Sequence, residues 1–222
     1  MGLNIRILFK NIIGLLLLPI TVVCTASFVS VLITVRWHIY PNHLLIIGFI
    51  VYLILHFLNK KKSFSYVLGH EISHAVTSIF FGGKLLSIFV SHKNGSVSTT
   101  KDNFVISLIP YCVPFYALLL SVFYYGLSIF INTRSFFPFF LFLLGFSLSH
   151  HLMLTIHYIK LGQNDISSHG RLFSFSIILL SNVFIIAFIL GLFIQQLPFI
   201  SFLQKSIESS KALFSDMFYY NH

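Results

Sequence analysis

The sequence predicts an all-α polytopic membrane protein of about six transmembrane helices, with one small β-hairpin directly after its third helix. Three observations predict it. Apolar residues make up 57% of the 222 residues, 27 of them Phe, while charged residues are 9% and the mean hydropathy is +0.92. Such a composition belongs to chains whose solvent is lipid. The apolar residues fall into long runs separated by short polar breaks, and one stretch alone, Leu85 to Thr100, changes to strand-like character around Asn94-Gly95. The length leaves room for a single membrane-embedded domain, residues 1–222, built of two N-terminal spans (1–62), a core (64–172), and a last span with a tail (173–222).

The net charge of +9 would suggest a nucleic-acid partner in a soluble protein. Here the Lys and Arg residues sit mostly between apolar runs, where they act as topology signals and anionic-lipid contacts, so the bilayer is the expected partner and nucleic acid is not. Cys24 and Cys112 lie far apart in apolar stretches without paired spacing, which excludes a disulfide framework or a cysteine metal site.

The first span is expected from about Asn11 to Val35, preceded by Arg6 and Lys10 and kept as an uncleaved anchor, with Pro19 as a potential kink. Arg36, Trp37, His38 and Tyr40 form an interfacial cluster that Pro41 closes. The second span, Asn42 to Leu58, ends at Lys60, Lys61 and Lys62, which with Arg6 and Lys10 place the N-terminus and the 59–63 loop on the cytoplasmic side. A third helix starts near Phe64 and stops at Gly82-Gly83. The hairpin follows, with strands at Leu85–Val90 and Val97–Thr100 and Asn94-Gly95 as its turn; an unpaired edge is not tolerated in lipid, so it must pack on protein or line a cavity. The fourth span, Asn103 to Ile131, is expected to bend at Pro110 and Pro114. The fifth, Phe136 to Ile159, carries His150, His151 and His157, each either a ligand, a proton carrier or a neutral histidine bonded to neighbouring helices. After the polar segment 161–171 comes the sixth span, Leu172 to Leu197, and then an amphipathic tail expected to lie on the membrane surface.

The third helix carries the chemistry. It contains His70, Glu71 and His74 as H-E-x-x-H, in a chain with only two glutamates. Residues four apart share a helix face, so both imidazoles can address one metal ion, and Glu71, one position round, can hold water as a general base. At 1.5 Å per residue His70 lies roughly 9 Å and His74 roughly 15 Å along the helix, within the hydrocarbon layer. An ionisable group there costs about 2.5–3.5 kcal/mol on insertion scales and is rarely kept without a use.

A catalytic Zn2+ takes three protein ligands and leaves a position open for water. The remaining acidic residues are Asp102, Asp165, Glu208 and Asp216. The last two sit in the tail among lysines, and Asp102 reads as a turn or helix-cap residue. Asp165, flanked by Gln163 and Asn164 whose amides can orient it, is the candidate third ligand, with a cap for the sixth span as its other role.

HEISHAVTSIFFGGKLLSIFVSHKNGSVS resembles the signature of the site-2 protease class of intramembrane zinc metallopeptidases, and LIPYCVP and GQNDISSHG resemble the proline-containing span and aspartate segment of bacterial members. The resemblance covers roughly residues 64 to 172. It implies His70, His74 and Asp165 as zinc ligands, Glu71 as catalytic base, a membrane-protein or membrane-proximal peptide as substrate, and a multi-pass location in a bacterial inner membrane. Asp165 is followed by Ile166, where the family commonly has glycine. If three spans separate Asp165 from the start of the zinc helix, it emerges on the opposite face; the hairpin then re-enters, the site lies near the midplane, or His150 or His151 takes the third position. The expected function is thus a membrane zinc endopeptidase. The competing class is a divalent-metal transporter or sensor, or an inactive scaffold, with His56, His70, His74, His150, His151 and His157 along a path. A carrier needs no general base between two ligands, and Glu71 supplies one.

Overall fold

The computed structural model describes residues 5–58, 64–92 and 94–219. They are mostly helical, with one two-stranded antiparallel sheet. The lysines Lys60, Lys61 and Lys62, on which the expected cytoplasmic side rests, lie outside the described residues.

Helix α1 (Ile5–Thr34) runs on through Pro19, and α2 spans His43–Leu58. Then come α3 (Phe64–Phe80), β1 (Leu85–Val90), β2 (Gly95–Thr99), α4 (Phe104–Cys112), α5 (Phe115–Phe130), α6 (Phe137–Leu161), the one-turn α7 (Asn164–Ser167), α8 (Arg171–Phe193) and α9 (Phe199–Tyr219). Among the described residues three helical stretches are long and apolar enough to cross a membrane: Ile5–Thr34, Arg134–Leu161 and Arg171–Phe193. The α4–α5 pair makes up to four when counted as one span, although it is bent by 72°, and α2 is a shorter apolar helix. The bend expected within the fourth span is present, as a break between two helices. The break falls at Val113-Pro114: Val113 is extended (φ −111°, ψ 119°), the conformation a residue before proline prefers, whereas Pro110 sits inside α4.

The chain divides into two compact units, Met1–Trp37 with Gly170–His222, and His38–His169. In the first, α1 packs on α8 and α9. The Gly14 carbonyl accepts the Ser176 hydroxyl at 2.9 Å. Helix α9, in the expected amphipathic tail, buries one side against this unit: Phe202 is fully buried, its ring edge-on to Phe28 and Phe184 at 5.8 and 5.2 Å.

In the second unit α2 packs on α6. The cause is a reciprocal pair of glycines. A Cβ on Gly48 would fall on the Phe142 carbonyl, and one on Gly145 on the Leu45 carbonyl, so the backbones touch only because both side chains are absent. Gly48→Ala must push the helices apart, at a cost of about 1–3 kcal/mol. Gly126 on α5 meets nothing within 4 Å, so Gly126→Ala should be neutral or stabilising by up to about 1 kcal/mol. Thermal denaturation in detergent checks the contrast; equal Tm values for the two variants would refute the close-packing account.

Helix α3 stops where Gly82 turns left-handed (φ +73°), with Gly82 N–H donating to Ile79 O and Gly83 N–H to Ser78 O, both at 2.8 Å. This paired closure needs the φ that glycine tolerates. The hairpin pairs Ser87 with Ser98, Ile88 with Val97, Phe89 with Ser96 and Val90 with Gly95. Gly95 is thus the first residue of β2 and not part of a two-residue turn. The connection is residues 91–94, closed by Ser91 N–H donating to Asn94 O at 2.9 Å.

Candidate metal centre

Three side chains from two segments converge within the 38–169 unit. His70 and His74, one turn apart on α3, bring their Nε2 atoms to 3.1 Å of each other. Asp165, in the first turn of α7, places Oδ2 at 3.5 Å from His70 Nε2 and 3.6 Å from His74 Nε2. Among the described residues this is the one group of three or more His, Cys, Asp or Glu side chains arranged to hold a metal ion.

The donor set has the dimensions of a four-coordinate site for a small divalent cation. A tetrahedral ion with bonds of about 2.0–2.1 Å requires ligand atoms about 3.3–3.4 Å apart, and the three observed separations bracket that value. The hydrogen bonds behind the ligands agree. His74 Nδ1 lies 2.8 Å from the Ile106 carbonyl; a carbonyl only accepts, so Nδ1 bears the proton and Nε2 presents its lone pair. His70 Nδ1 shares a hydrogen bond of 3.2 Å with the Tyr66 hydroxyl. Tyr111, fully buried, donates its hydroxyl to Asp165 Oδ2 at 3.1 Å and sets its ring against His70. A hydroxyl donated to the carboxylate favours its ionised form, the form in which an oxygen ligand holds a metal.

Glu71, 7% exposed, lines the same cleft of about 520 Å³ as the three converging side chains; β2 from Gly95 to Thr99, Asp102, Ser107, Gln163 and Asn164 form other walls. Gly95 lies directly against Glu71: a Cβ there would sit 2.5 Å from Glu71 Oε1 and 2.6 Å from Val67 Cγ1. The hairpin backbone therefore covers the glutamate.

Several expectations about neighbouring residues change. Asp165 does not cap the following helix; Gly170 holds the N-cap of α8. Asp102 does not cap α4; Asn103 does, its Oδ1 accepting from the N–H groups of Val105 and Ile106 at 2.9 Å. Asp102 instead accepts from the Ser107 hydroxyl at 3.0 Å, and the same oxygen of Ser107 receives His169 Nε2 at 3.1 Å, tying α4 to the aspartate segment. The polar group bonded to the Asp165 carboxylate is Tyr111 and not the amides of Gln163 or Asn164, with Gln163 occupying the N-cap of α7. His150 lies apart from the ligand group, buried, its Nε2 3.3 Å from Ser65 Oγ and its ring edge-on to Tyr52 and Tyr116. His151 is buried on the same helix and His157 is exposed.

Sequence reasoning passed over Tyr66, Gly95, the Ile106 carbonyl and Tyr111. Two of them left a signal: Tyr111 is the one aromatic side chain between the prolines of LIPYCVP, and the Ile106 carbonyl lies four residues before a proline. Tyr66 and Gly95 matter through tertiary placement. No protein-family profile, curated protein or solved structure matches the chain.

Proposed function

We propose that this protein is a membrane-embedded zinc endopeptidase that cleaves peptide bonds in or beside the bilayer, as a multi-pass protein of a bacterial inner membrane with about six spans. The observation that carries the reading is the meeting of two imidazole Nε2 atoms and one carboxylate oxygen at zinc spacing, with Glu71 in the same cleft. When bound, zinc supplies a Lewis acid that activates water near neutral pH and polarises the scissile carbonyl.

The chain's own residues do the rest. His70, His74 and Asp165 hold the ion, and Tyr111 keeps the Asp165 carboxylate turned toward it. Glu71 accepts the proton of the attacking water at its carboxylate and delivers it to the nitrogen of the leaving amine, so that base and acid are one group in sequence. A helical substrate shields its peptide bonds with its own hydrogen bonds and must be extended before attack. Strand β2 runs along the cleft wall, where main-chain groups are available for ladder pairing with such a segment.

The test is reconstitution in liposomes with a panel of single-span membrane substrates. Cleavage should appear with zinc-loaded protein, vanish when a chelator strips the metal, and return on adding zinc. Cleavage indifferent to chelation would overturn the assignment.

A further inference from the structure

We propose that Pro110 is a positioning residue for His74: it has no N–H to give the Ile106 carbonyl, which is thereby left for the imidazole of His74. The consequence for zinc rests on the metal reading above; the assignment of the His74 proton does not.

In an α-helix the carbonyl of residue 106 accepts the N–H of residue 110. At position 110 of α4 there is none, and a proline ring pushes against the carbonyl four residues before it and tilts it outward. Ile106 is buried, 4% exposed, so its carbonyl needs a protein partner. His74 Nδ1 at 2.8 Å is that partner. The two requirements meet in one bond: the orphan acceptor is satisfied, and the ring is locked in the tautomer whose Nε2 faces His70 Nε2 and Asp165.

Bending the chain is not what Pro110 does. Helix α4 continues past it to Cys112, and the sharp break follows at Val113-Pro114. The two prolines have separate tasks, Pro114 ending the helix and Pro110 opening one carbonyl within it. Tyr111, the next residue, holds Asp165, so consecutive positions of one short helix serve two of the three ligands.

The experiment measures zinc affinity of the full chain in detergent by competition with a chromogenic chelator. Pro110→Ala restores the N–H and should weaken zinc by about 10–100-fold, as losses behind a ligand do, while Pro114→Ala should change it by no more than about twofold. Lactic acid placed at position 110 by nonsense suppression gives an ester with an alanine-like side chain and no N–H, and should recover most of the lost affinity. In metal-free protein, imidazole 15N shifts should show His74 protonated at Nδ1 in the wild type and a tautomer mixture in Pro110→Ala.

Wild-type affinity and tautomer in Pro110→Ala would overturn the proposal, and so would an ester variant as weak as the alanine one, since the ring and not the missing N–H would then be responsible. Should Pro110→Ala not fold, the wild-type spectrum decides, and a His74 with its proton on Nε2 and none on Nδ1 is the overturning result. If the wild type binds no zinc at all, the zinc reading fails, while the tautomer comparison still judges Pro110.

Discussion

Glu71→Gln protein is expected to carry as much zinc as the wild type, to melt at nearly the same temperature, and to cleave more slowly by about 10²–10⁴. Glutamine is close to isosteric, so the close approach of Gly95 to this side chain is kept. It can still hydrogen-bond water. It cannot take up a proton, and only that step of the mechanism is removed. The measurement compares both proteins in liposomes against the same single-span substrates, with zinc determined on the same samples. A metal carrier with these ligands would keep part of its function in the Gln variant and give no product in either form. Cleavage at wild-type rate by Glu71→Gln would end the general-base assignment.

Replacing the ligands themselves should have the other large effect. The double variant His70→Ala/His74→Ala is expected to fall from about one zinc per chain to background, because two of three protein ligands are gone. Asp165→Ala should weaken zinc far more than Asp102→Ala: both carboxylates line the cleft, but only Asp165 sits within 3.6 Å of both imidazoles. A second readout is thermal. Ligand present at a thousand times its Kd stabilises a protein by about 4 kcal/mol, so the zinc-dependent rise in Tm should vanish in the double variant and persist in Asp102→Ala. Wild-type zinc content in the double variant would remove the basis of the functional reading.

The parts of this molecule that sequence made legible are those whose physics is local. The spacing of His70 and His74 is a property of one helix, and the Gly82-Gly83 stop and the strands of the hairpin are properties of a few consecutive residues. What was misread depends on distant partners. Asn94-Gly95 has the composition of a two-residue turn, yet Gly95 is glycine because Glu71, on a different element, occupies the space a side chain would need. Asp102 and Asn103 are both good caps, and the choice between them was made by Ser107 taking the aspartate. The second helix packs on α6 because its glycine has a matching glycine there. Pro110 and Pro114 look alike in sequence, yet Pro110 sits inside α4 and Pro114 follows its end.

The division of the chain into units also orders events during synthesis. Everything from His70 to Asp165 lies in one uninterrupted stretch inside the 38–169 unit, so the three converging side chains are all present once the ribosome has passed residue 169. Helix α1 precedes that stretch and packs on α8 and α9, which follow it. It must therefore wait for residues that His70, His74 and Asp165 do not need; since domains form as units in the order they emerge, the three side chains can come together before α1 has found its neighbours.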